Sequence, residues 1–339
     1  MNNTDTFEIF LTAAPGLEQG LLAEAKELGF AAPKAVPGGV TVQGGWAEVW
    51  RANLAMRGAA RVLARIGEFR AFHLAQLDKR ARKFPWGDVL RPDVPLRVEV
   101  ATNRKSKIYH AGAAAQRVEK AIAETLGAPI TKEAAEAAVT VKLRIEDNLC
   151  VFSVDTSGEG LHKRGHKFAV GKAPMRENLA ALFLRECGFN GSEPVVDPMC
   201  GSGTFVIEAA EIASGLLPGR SRRFAFEQLA SFDAQIWDEM KRQDTARPVD
   251  FLFHGSDRNA GAVEMATANA DRTGVAACTR FAQAAISDLQ RPEGPPGLVI
   301  VNPPYGARIG NKKLLFALYA ALGQVLKDRF SGWRVGIVT

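Results

Sequence analysis

The sequence predicts an α/β fold in which two small α+β units precede a parallel β-sheet with helices on both faces. Its 339 residues exceed what one hydrophobic core usually organises, which favours two or three domains. From about residue 157 onward, helical and strand-like segments alternate, as is typical of a parallel sheet. Before that point the strands are short, and a hairpin signal, Asp147-Asn148, joins two of them.

The first α+β unit combines strands with helices of regular apolar spacing. A strand is predicted over residues 7–11, and leucines at helical spacing predict a helix over 15–28. A pair of strands over 36–43 then leads to a helix predicted over 47–66. The pattern is therefore strand-helix-strand-strand-helix.

The second α+β unit follows a basic connector over residues 70–83. Apolar spacing then predicts one helix and three strands. The helix spans 112–126, and the strands span 96–101, 139–146 and 150–155.

The alternating part of the chain contributes four helices and five strands. The helices are predicted over 173–187, 204–214, 260–272 and 312–327, and the strands over 194–197, 251–257, 280–283, 297–302 and 334–339. We expect these strands to form the parallel sheet.

Composition limits the classes of function. Residues 51–110 hold fourteen Lys or Arg against five Asp or Glu, a local charge of +9 in a chain of net charge +6. Such a segment can attract phosphates, although a solvated helix face would have the same composition. The four cysteines form no C-x-x-C pair, which predicts reduced thiols and no metal site. Neither a signal peptide nor a long apolar run occurs, so a soluble, cytoplasmic protein is expected.

A glycine-rich turn follows the first strand of the alternating part and leads directly into a helix. It consists of Asp197, Pro198, Met199, Cys200, Gly201, Ser202, Gly203 and Thr204. Glycines at such a turn let the backbone approach a ligand closely. A dinucleotide site fits less well, because Val206 stands where a third Gly or Ala is required.

Acidic residues follow the next two strands. The carboxylate of Asp257, which precedes Arg258, is placed to accept both ribose hydroxyls of an adenosyl group, and Asp288 to accept the adenine amino hydrogen. Ligands bind at the carboxyl ends of parallel strands, so these residues should meet at one edge of the sheet. The order of glycine turn, acid and acid favours S-adenosylmethionine as the cofactor.

The fourth strand ends in the most specific motif of the chain, Asn302-Pro303-Pro304-Tyr305. The Asn302 side-chain oxygen and the Pro303 carbonyl can accept the two hydrogens of a conjugated amine, because Pro304 has no N–H to occupy that carbonyl. Tyr305 would stack on a base lifted out of its stack. Geometry and charge placement would then suffice for methyl transfer, without a metal ion.

These motifs give the chain a resemblance to the THUMP-domain RNA guanine-N2 methyltransferases, a bacterial family that includes the 23S ribosomal RNA enzyme. The matching stretches are residues 106–112, 155–159, 161–165, 173–177, 197–204 and 302–306. The resemblance implies a class I (Rossmann-like) methyltransferase domain over residues 161–339. It also implies a ferredoxin-like domain over 1–67 and a THUMP RNA-binding domain over 68–160. Since such a sheet normally has seven strands, we expect the last two to be missing.

The resemblance also assigns site residues. Arg176, Glu177 and Asn178 are expected to line the methionine side of the cofactor pocket. The insertion over 216–250 is expected beside the active cleft. RNA contacts are expected from Arg104, Lys105, Lys107, Tyr109, His110, Lys163 and Arg164.

Together these features predict methylation of an exocyclic base amine, with guanine N2 in ribosomal RNA as the target. A DNA adenine-N6 methyltransferase and a tRNA guanine-N2 methyltransferase stay open, because the same loop serves either amino group. A catalytically inactive RNA-binding protein is the third alternative, which the complete set of motifs disfavours. The sequence does not specify the oligomeric state.

Overall fold

The structure, a computed structural model, describes residues 6–167, 174–242, 246–304 and 312–339, without the side chains of 312–314. The chain forms two compact units. The N-terminal unit comprises Met1–Leu161 and Arg222–Arg242, and the C-terminal unit comprises His162–Ser221 and Gln243–Thr339. Tyr305, part of the predicted catalytic motif, lies outside the described residues.

The N-terminal unit is built on one seven-stranded sheet. Its strands are β1 (Phe7–Thr12), β2 (Ala31–Val36), β3 (Gly39–Gly44), β4 (Arg61–Arg70), β5 (Leu96–Thr102), β6 (Val139–Glu146) and β7 (Leu149–Asp155). The order across the sheet is β2-β3-β1-β4-β7-β6-β5. Because β4 pairs with β1 on one side and β7 on the other, the two α+β units predicted from the sequence share a single sheet.

The helix predicted over residues 47–66 is wrong in its second half. Helix α1 (Glu18–Glu27) is followed by α2 (Trp46–Ala55), after which the chain turns into β4. The Glu24 carboxylate of α1 accepts the backbone N–H of Gly58 at 2.9 Å and so holds this turn. Pairing with β1 and β7, which are distant in sequence, overrides the local helical spacing.

The basic connector contains a short helix, α3 (Leu74–Ala81), which the sequence analysis did not predict. The Nδ1 atom of His73 caps it by accepting the N–H of Gln76 at 3.2 Å. Leu77 is a buried residue of α3, and this helix packs against α4 (Ala111–Leu126). The helix buries Leu77 and Ala81 on its inner face and carries cations elsewhere, which is an amphipathic pattern.

The C-terminal unit is built on a five-stranded parallel sheet, as predicted. Its strands are β8 (Val195–Asp197), β9 (Phe253–Asp257), β10 (Thr279–Gln283), β11 (Leu298–Val301) and β12 (Arg334–Ile337). Their order is β10-β9-β8-β11-β12, and all neighbours pair in parallel. The helices are α5 (Glu177–Glu186), α6 (Thr204–Ser214), α8 (Ala260–Thr273) and α9 (Lys312–Arg329), and α7 (Ala234–Lys241) belongs to the N-terminal unit.

Helices cover both faces of this sheet, which confirms the α/β fold class. Val195 of β8 packs in one cluster with Phe205 of α6, whereas Val196 packs in another with Val325 of α9. Successive strand residues point to opposite faces, so the two clusters are the two layers of the core. Within the described residues, β12 is the outer strand beside β11, and its Val335 and Ile337 are exposed.

Residues Arg222–Arg242 pack within the N-terminal unit, although the sequence analysis places them in the domain over 161–339. The Phe226 N–H donates to the Thr156 carbonyl at 3.0 Å, and the Phe226 ring lies 6.1 Å from that of Trp50. These contacts therefore group residues 222–242 with the N-terminal unit. Aromatic side chains of residues 222–242 are buried in a core formed by residues that are distant in sequence.

No helix among the described residues is both long and apolar enough to cross a membrane.

Candidate active site

The glycine turn after β8 has one tight glycine and one open glycine. Both have positive φ angles, +53° at Gly201 and +86° at Gly203. A Cβ on Gly203 would lie 3.0 Å from the Cβ of Ala266 in α8, so this glycine allows close helix packing. A Cβ on Gly201 would meet no atom of the described residues within 4 Å. The space beside Gly201 is therefore free for a ligand.

Asp257, at the end of β9, is tied to the glycine turn. One of its carboxylate oxygens accepts the Gly201 N–H at 3.1 Å, and the other accepts the Asn259 N–H at 2.9 Å. The Cys200 N–H also donates to the Ser256 carbonyl at 2.9 Å. These bonds bring together the ends of β8 and β9, which the sequence analysis assigned to one cofactor site.

Asp197 and Cys200 are buried within this turn. Burial raises the pKa of Asp197 to about 7, and the nearby charge of Asp257 adds to the rise. The Asp197 carboxylate accepts the Met199 N–H at 3.0 Å and thereby shapes the turn. Burial also raises the pKa of the Cys200 thiol, which disfavours the nucleophilic thiolate.

Asp288 lies in a short turn of helix, Ile286–Asp288, after β10. It is exposed, and its carboxylate accepts the Ser287 hydroxyl at 3.3 Å. Gln283, at the end of β10, donates its side-chain amide to the Arg258 carbonyl at 3.1 Å, while the Arg258 side chain is exposed. The ends of β9 and β10 are thus also held together.

Asn302 follows β11 at the same edge of the sheet. Its side-chain Oδ1 is buried, and no hydrogen-bond partner for it exists among the described residues. Pro303 is buried and Pro304 is partly exposed. A buried acceptor without a donor is costly unless a ligand supplies the donor. The structure therefore contains an acceptor suited to an N–H group of a substrate.

The strand order sets the order of these groups along the edge. Because the sheet runs β10-β9-β8-β11, Asp288 comes first, then Asp257, then the glycine turn and finally Asn302. The two acids and the open glycine suit an extended polar ligand, with Asn302 beyond its end. Within the described part of the chain, no cluster of three or more His, Cys, Asp or Glu could hold a metal ion.

Lys167 connects α6 to the residues that were predicted to line the methionine side of the cofactor pocket. Lys167 itself was not predicted from the sequence. Its Nζ atom donates to the Thr204 hydroxyl at 2.6 Å and to the Met175 carbonyl at 3.2 Å, and it pairs with Glu177 at 3.2 Å. Asn178 is buried, whereas the Arg176 side chain is exposed. Lys167 thus holds the start of α5 beside the glycine turn.

Asn269 of α8 is a second residue that the sequence analysis missed. It donates its side-chain amide to the Ser202 carbonyl. It shares the buried stripe of Ala262 and Ala266. A polar residue within an apolar helical stripe was the available signal.

The predicted RNA contacts lie in two different units. In the N-terminal unit, one loop exposes the side chains of Arg104, Lys105, Lys107, Tyr109 and His110. His110 also caps α4 by accepting the Ala113 N–H at 3.2 Å. Lys163 is exposed in the C-terminal unit.

Arg164 requires a correction. Its side chain is 4% exposed, and its guanidinium pairs with the Glu208 carboxylate of α6 at 3.3 Å. A buried guanidinium that compensates a buried carboxylate cannot reach a phosphate at the surface. Arg164 therefore compensates a buried carboxylate within the C-terminal unit, and the basic composition of residues 163–167 gave no sign of this burial.

Two family models match the chain. The model described as the RlmL ferredoxin-like domain matches residues 8–63, and the model described as the RMKL-like methyltransferase domain matches residues 164–339. The two matches cover most of the chain.

Solved structures of high similarity extend over both units. A protein from Listeria monocytogenes str. 4b F2365, named as a predicted N6-adenine-specific DNA methylase, is 31% identical over 98% of this chain and 88% of its own, with a TM-score of 0.88. SMU.472, described as a methyltransferase and solved in complex with SAH, is 27% identical over 98% of this chain and 89% of its own, with a TM-score of 0.84. TrmN from Thermus thermophilus is 20% identical over 98% of this chain and 88% of its own, with a TM-score of 0.73, and shares the fold.

Proposed function

We propose that this chain, which belongs to the RMKL-like methyltransferase family, methylates an exocyclic amine of an RNA base. The protein is an S-adenosylmethionine-dependent class I methyltransferase. The observation that carries the proposed target is the buried Oδ1 of Asn302, an acceptor without a donor among the described residues.

The residues at the sheet edge fit the cofactor. The open space beside Gly201 lets a ligand approach the backbone, and the Asp257 carboxylate lies directly beside it. We assign the ribose to Asp257 and the adenine amino group to Asp288. The methionine end then lies towards Thr204 and residues 175–178, which Lys167 holds in place.

Bound S-adenosylmethionine supplies an electrophilic methyl group. The lone pair of a base amine is delocalised into the ring, so the amine needs help to react. Asn302 Oδ1 accepts one amine hydrogen and the Pro303 carbonyl accepts the other, which turns the lone pair towards the methyl carbon. With the cofactor bound, the nitrogen would form the new N–C bond as the S–C bond breaks, S-adenosylhomocysteine would leave, and the amine proton would pass to solvent.

The N-terminal unit supports RNA as the substrate. Its match to the RlmL ferredoxin-like domain and its exposed basic loop both favour a nucleic-acid partner. Within RNA, we propose guanine N2 of ribosomal RNA as the target. A DNA adenine amine is the second candidate, because the relative from Listeria monocytogenes is named as a DNA methylase.

Nucleoside mass spectrometry tests the proposal. The purified protein and S-adenosylmethionine carrying a deuterated methyl group are incubated with ribosomal RNA, tRNA and genomic DNA from a strain that lacks the gene. We expect deuterated N2-methylguanosine in ribosomal RNA. Label in DNA adenine, or in no nucleic acid, would overturn the proposed substrate.

A further inference from the structure

Thirteen of the fourteen Lys and Arg side chains of residues 51–110, all except Arg57, separate into two groups in the structure. Carboxylates pair with Arg51, Arg61, Arg65, Arg82, Arg91 and Arg97. Within the described part of the chain, no salt bridge is formed by Arg70, Lys79, Arg80, Lys83, Arg104, Lys105 or Lys107. The local positive charge is therefore concentrated on the second group.

The second group lies on three segments: the end of β4, α3 with the residues just after it, and the loop over 103–110. Hydrogen bonds through the β6–β7 turn join the first and the third of these segments. The Ala71 N–H, just before α3, donates to the Asn148 carbonyl at 2.9 Å, and the Asn148 side chain accepts the Lys107 N–H at 2.8 Å. Arg70 also donates to the Asp147 carbonyl at 2.9 Å. The end of β4, the β6–β7 turn and the loop over 103–110 thus adjoin one another.

The remaining segment, α3, follows this junction and carries a cleft of about 570 Å³. We call it the α3 cleft, and it is lined by His73, Ala75, Gln76, Lys79, Arg80 and Lys83. None of its lining residues in the described part of the chain is acidic. Asp78, the acid of α3, is bound to Arg82 at 2.9 Å instead. Three cations therefore face the cleft without a carboxylate to neutralise them.

Two exposed aromatic rings accompany these cations. Phe72 is 49% exposed and stands beside the first residue of the α3 cleft, and Tyr109 is 72% exposed in the loop over 103–110. Exposed aromatic rings interleaved with cations suit unstacked bases, because every base presents a π-face. A duplex presents its phosphates but not its base faces.

We propose that an unpaired stretch of RNA crosses this surface, with its phosphates in the α3 cleft and a base stacked on Phe72. The α3 cleft extends the predicted RNA contacts beyond the loop over 103–110. This inference rests on the proposed function only in taking RNA as the partner, since it concerns a surface far from Asn302 in sequence.

Binding of two fluorescein-labelled RNAs to the full-length protein tests the proposal. One is a hairpin with a single-stranded extension of about ten nucleotides, and the other is the same hairpin with a blunt end. The triple variant Lys79→Gln, Arg80→Gln, Lys83→Gln removes the cations of the α3 cleft. The control variant Lys26→Gln, Lys34→Gln, Lys132→Gln removes the same charge from exposed positions of the same unit.

We expect the extended hairpin to bind more tightly than the blunt one. The plot of log affinity against log salt has a negative slope. Loss of three phosphate contacts should make this slope shallower by about 2 in the cleft variant, whereas the control variant should keep the wild-type slope. Equal slopes in the two variants would overturn the α3 cleft as a phosphate site.

Phe72→Ala separates stacking from charge. It should weaken binding of the extended hairpin roughly 5- to 100-fold and leave the salt slope and the blunt hairpin unaffected. Equal losses for both RNAs, or none, would overturn the stacking role. If the wild-type protein binds neither RNA, both this inference and the proposed RNA substrate fail. If it methylates RNA but the variants bind normally, this inference alone fails.

Discussion

The side-chain amide of Asn269, on α8, donates a hydrogen bond to the Ser202 carbonyl, in the glycine turn, over 3.0 Å. Asn269 is 1% exposed, and its own Oδ1 accepts from the Arg272 guanidinium. A guanidinium has donors only, so Arg272 occupies the oxygen end and directs the NH₂ end towards Ser202. Arg272 in turn donates to the His166 carbonyl at 2.9 Å, beside Lys167.

Asn269→Asp should weaken cofactor binding without slowing methyl transfer. The carboxylate keeps the size of the side chain and its pairing with Arg272, but it places an acceptor against the Ser202 carbonyl. We expect the Kd for S-adenosylhomocysteine and the KM for S-adenosylmethionine to rise about tenfold, which is ~1.4 kcal/mol. Turnover at saturating cofactor should change less than about twofold.

Calorimetry and steady-state kinetics provide both values. Thr267→Ala is the matched control, since Thr267 is exposed on α8 and bonds to the Val263 carbonyl of the same helix. Unchanged cofactor affinity in Asn269→Asp would show that this hydrogen bond does not position the turn.

Asn302→Ala should slow methyl transfer strongly and preserve cofactor affinity. The variant removes the acceptor that we propose for the target amine and not for the cofactor, so turnover should fall about 100- to 1,000-fold. Asn190→Ala, an exposed asparagine of the same unit, is the control. Methyl transfer at the wild-type rate in Asn302→Ala would refute the proposed acceptor role.

Asp197→Asn should stabilise the protein in a pH-dependent way. The pKa of Asp197 rises from an ordinary value of 3.8 to about 7 in the folded chain. Deprotonation is therefore easier in the unfolded chain, and this group makes the fold lose stability as the pH rises from about 4 to about 7. The amide stays neutral, and its oxygen can still accept the Met199 N–H.

The Tm of cofactor-free Asp197→Asn should exceed that of the wild type by at least about 3 °C at pH 8 and should match it near pH 4. Thermal unfolding across this range provides the comparison. Asp271→Asn, which removes an exposed carboxylate from α8, controls for net charge. If the Tm of Asp197→Asn differed from that of the wild type by the same amount at every pH, the raised pKa assigned to Asp197 would be contradicted.

Arg164→Met should destabilise the C-terminal unit without altering RNA contacts. It leaves the Glu208 carboxylate buried with its charge less compensated, which costs about 3 kcal/mol or more. The double variant Arg164→Met, Glu208→Met should recover much of this loss, because the buried charge is gone. Denaturant unfolding measures both. A single variant of normal stability but weakened RNA binding would restore Arg164 as a phosphate contact.

The local sequence was sufficient to predict which residues at the ends of the parallel strands belong to the candidate site. The glycine turn, Asp257 and Asn302 were recognisable because parallel strands place their carboxyl ends at one edge, and because glycine and proline restrict the backbone in known ways. The same reasoning predicted the α/β class and the alternation of helices and strands in the C-terminal unit. These features depend on residues close together in the chain.

Contacts between distant residues were decided by the tertiary structure alone. Burial beside Glu208 turned Arg164 from a predicted RNA contact into a structural cation, and pairing with β1 and β7 made residues 61–70 a strand. Among the described residues, the cations without carboxylate partners and the Asn302 oxygen without a donor emerged only from the tertiary structure. Charge pairing and desolvation depend on three-dimensional neighbours, and a sequence lists only neighbours along the chain.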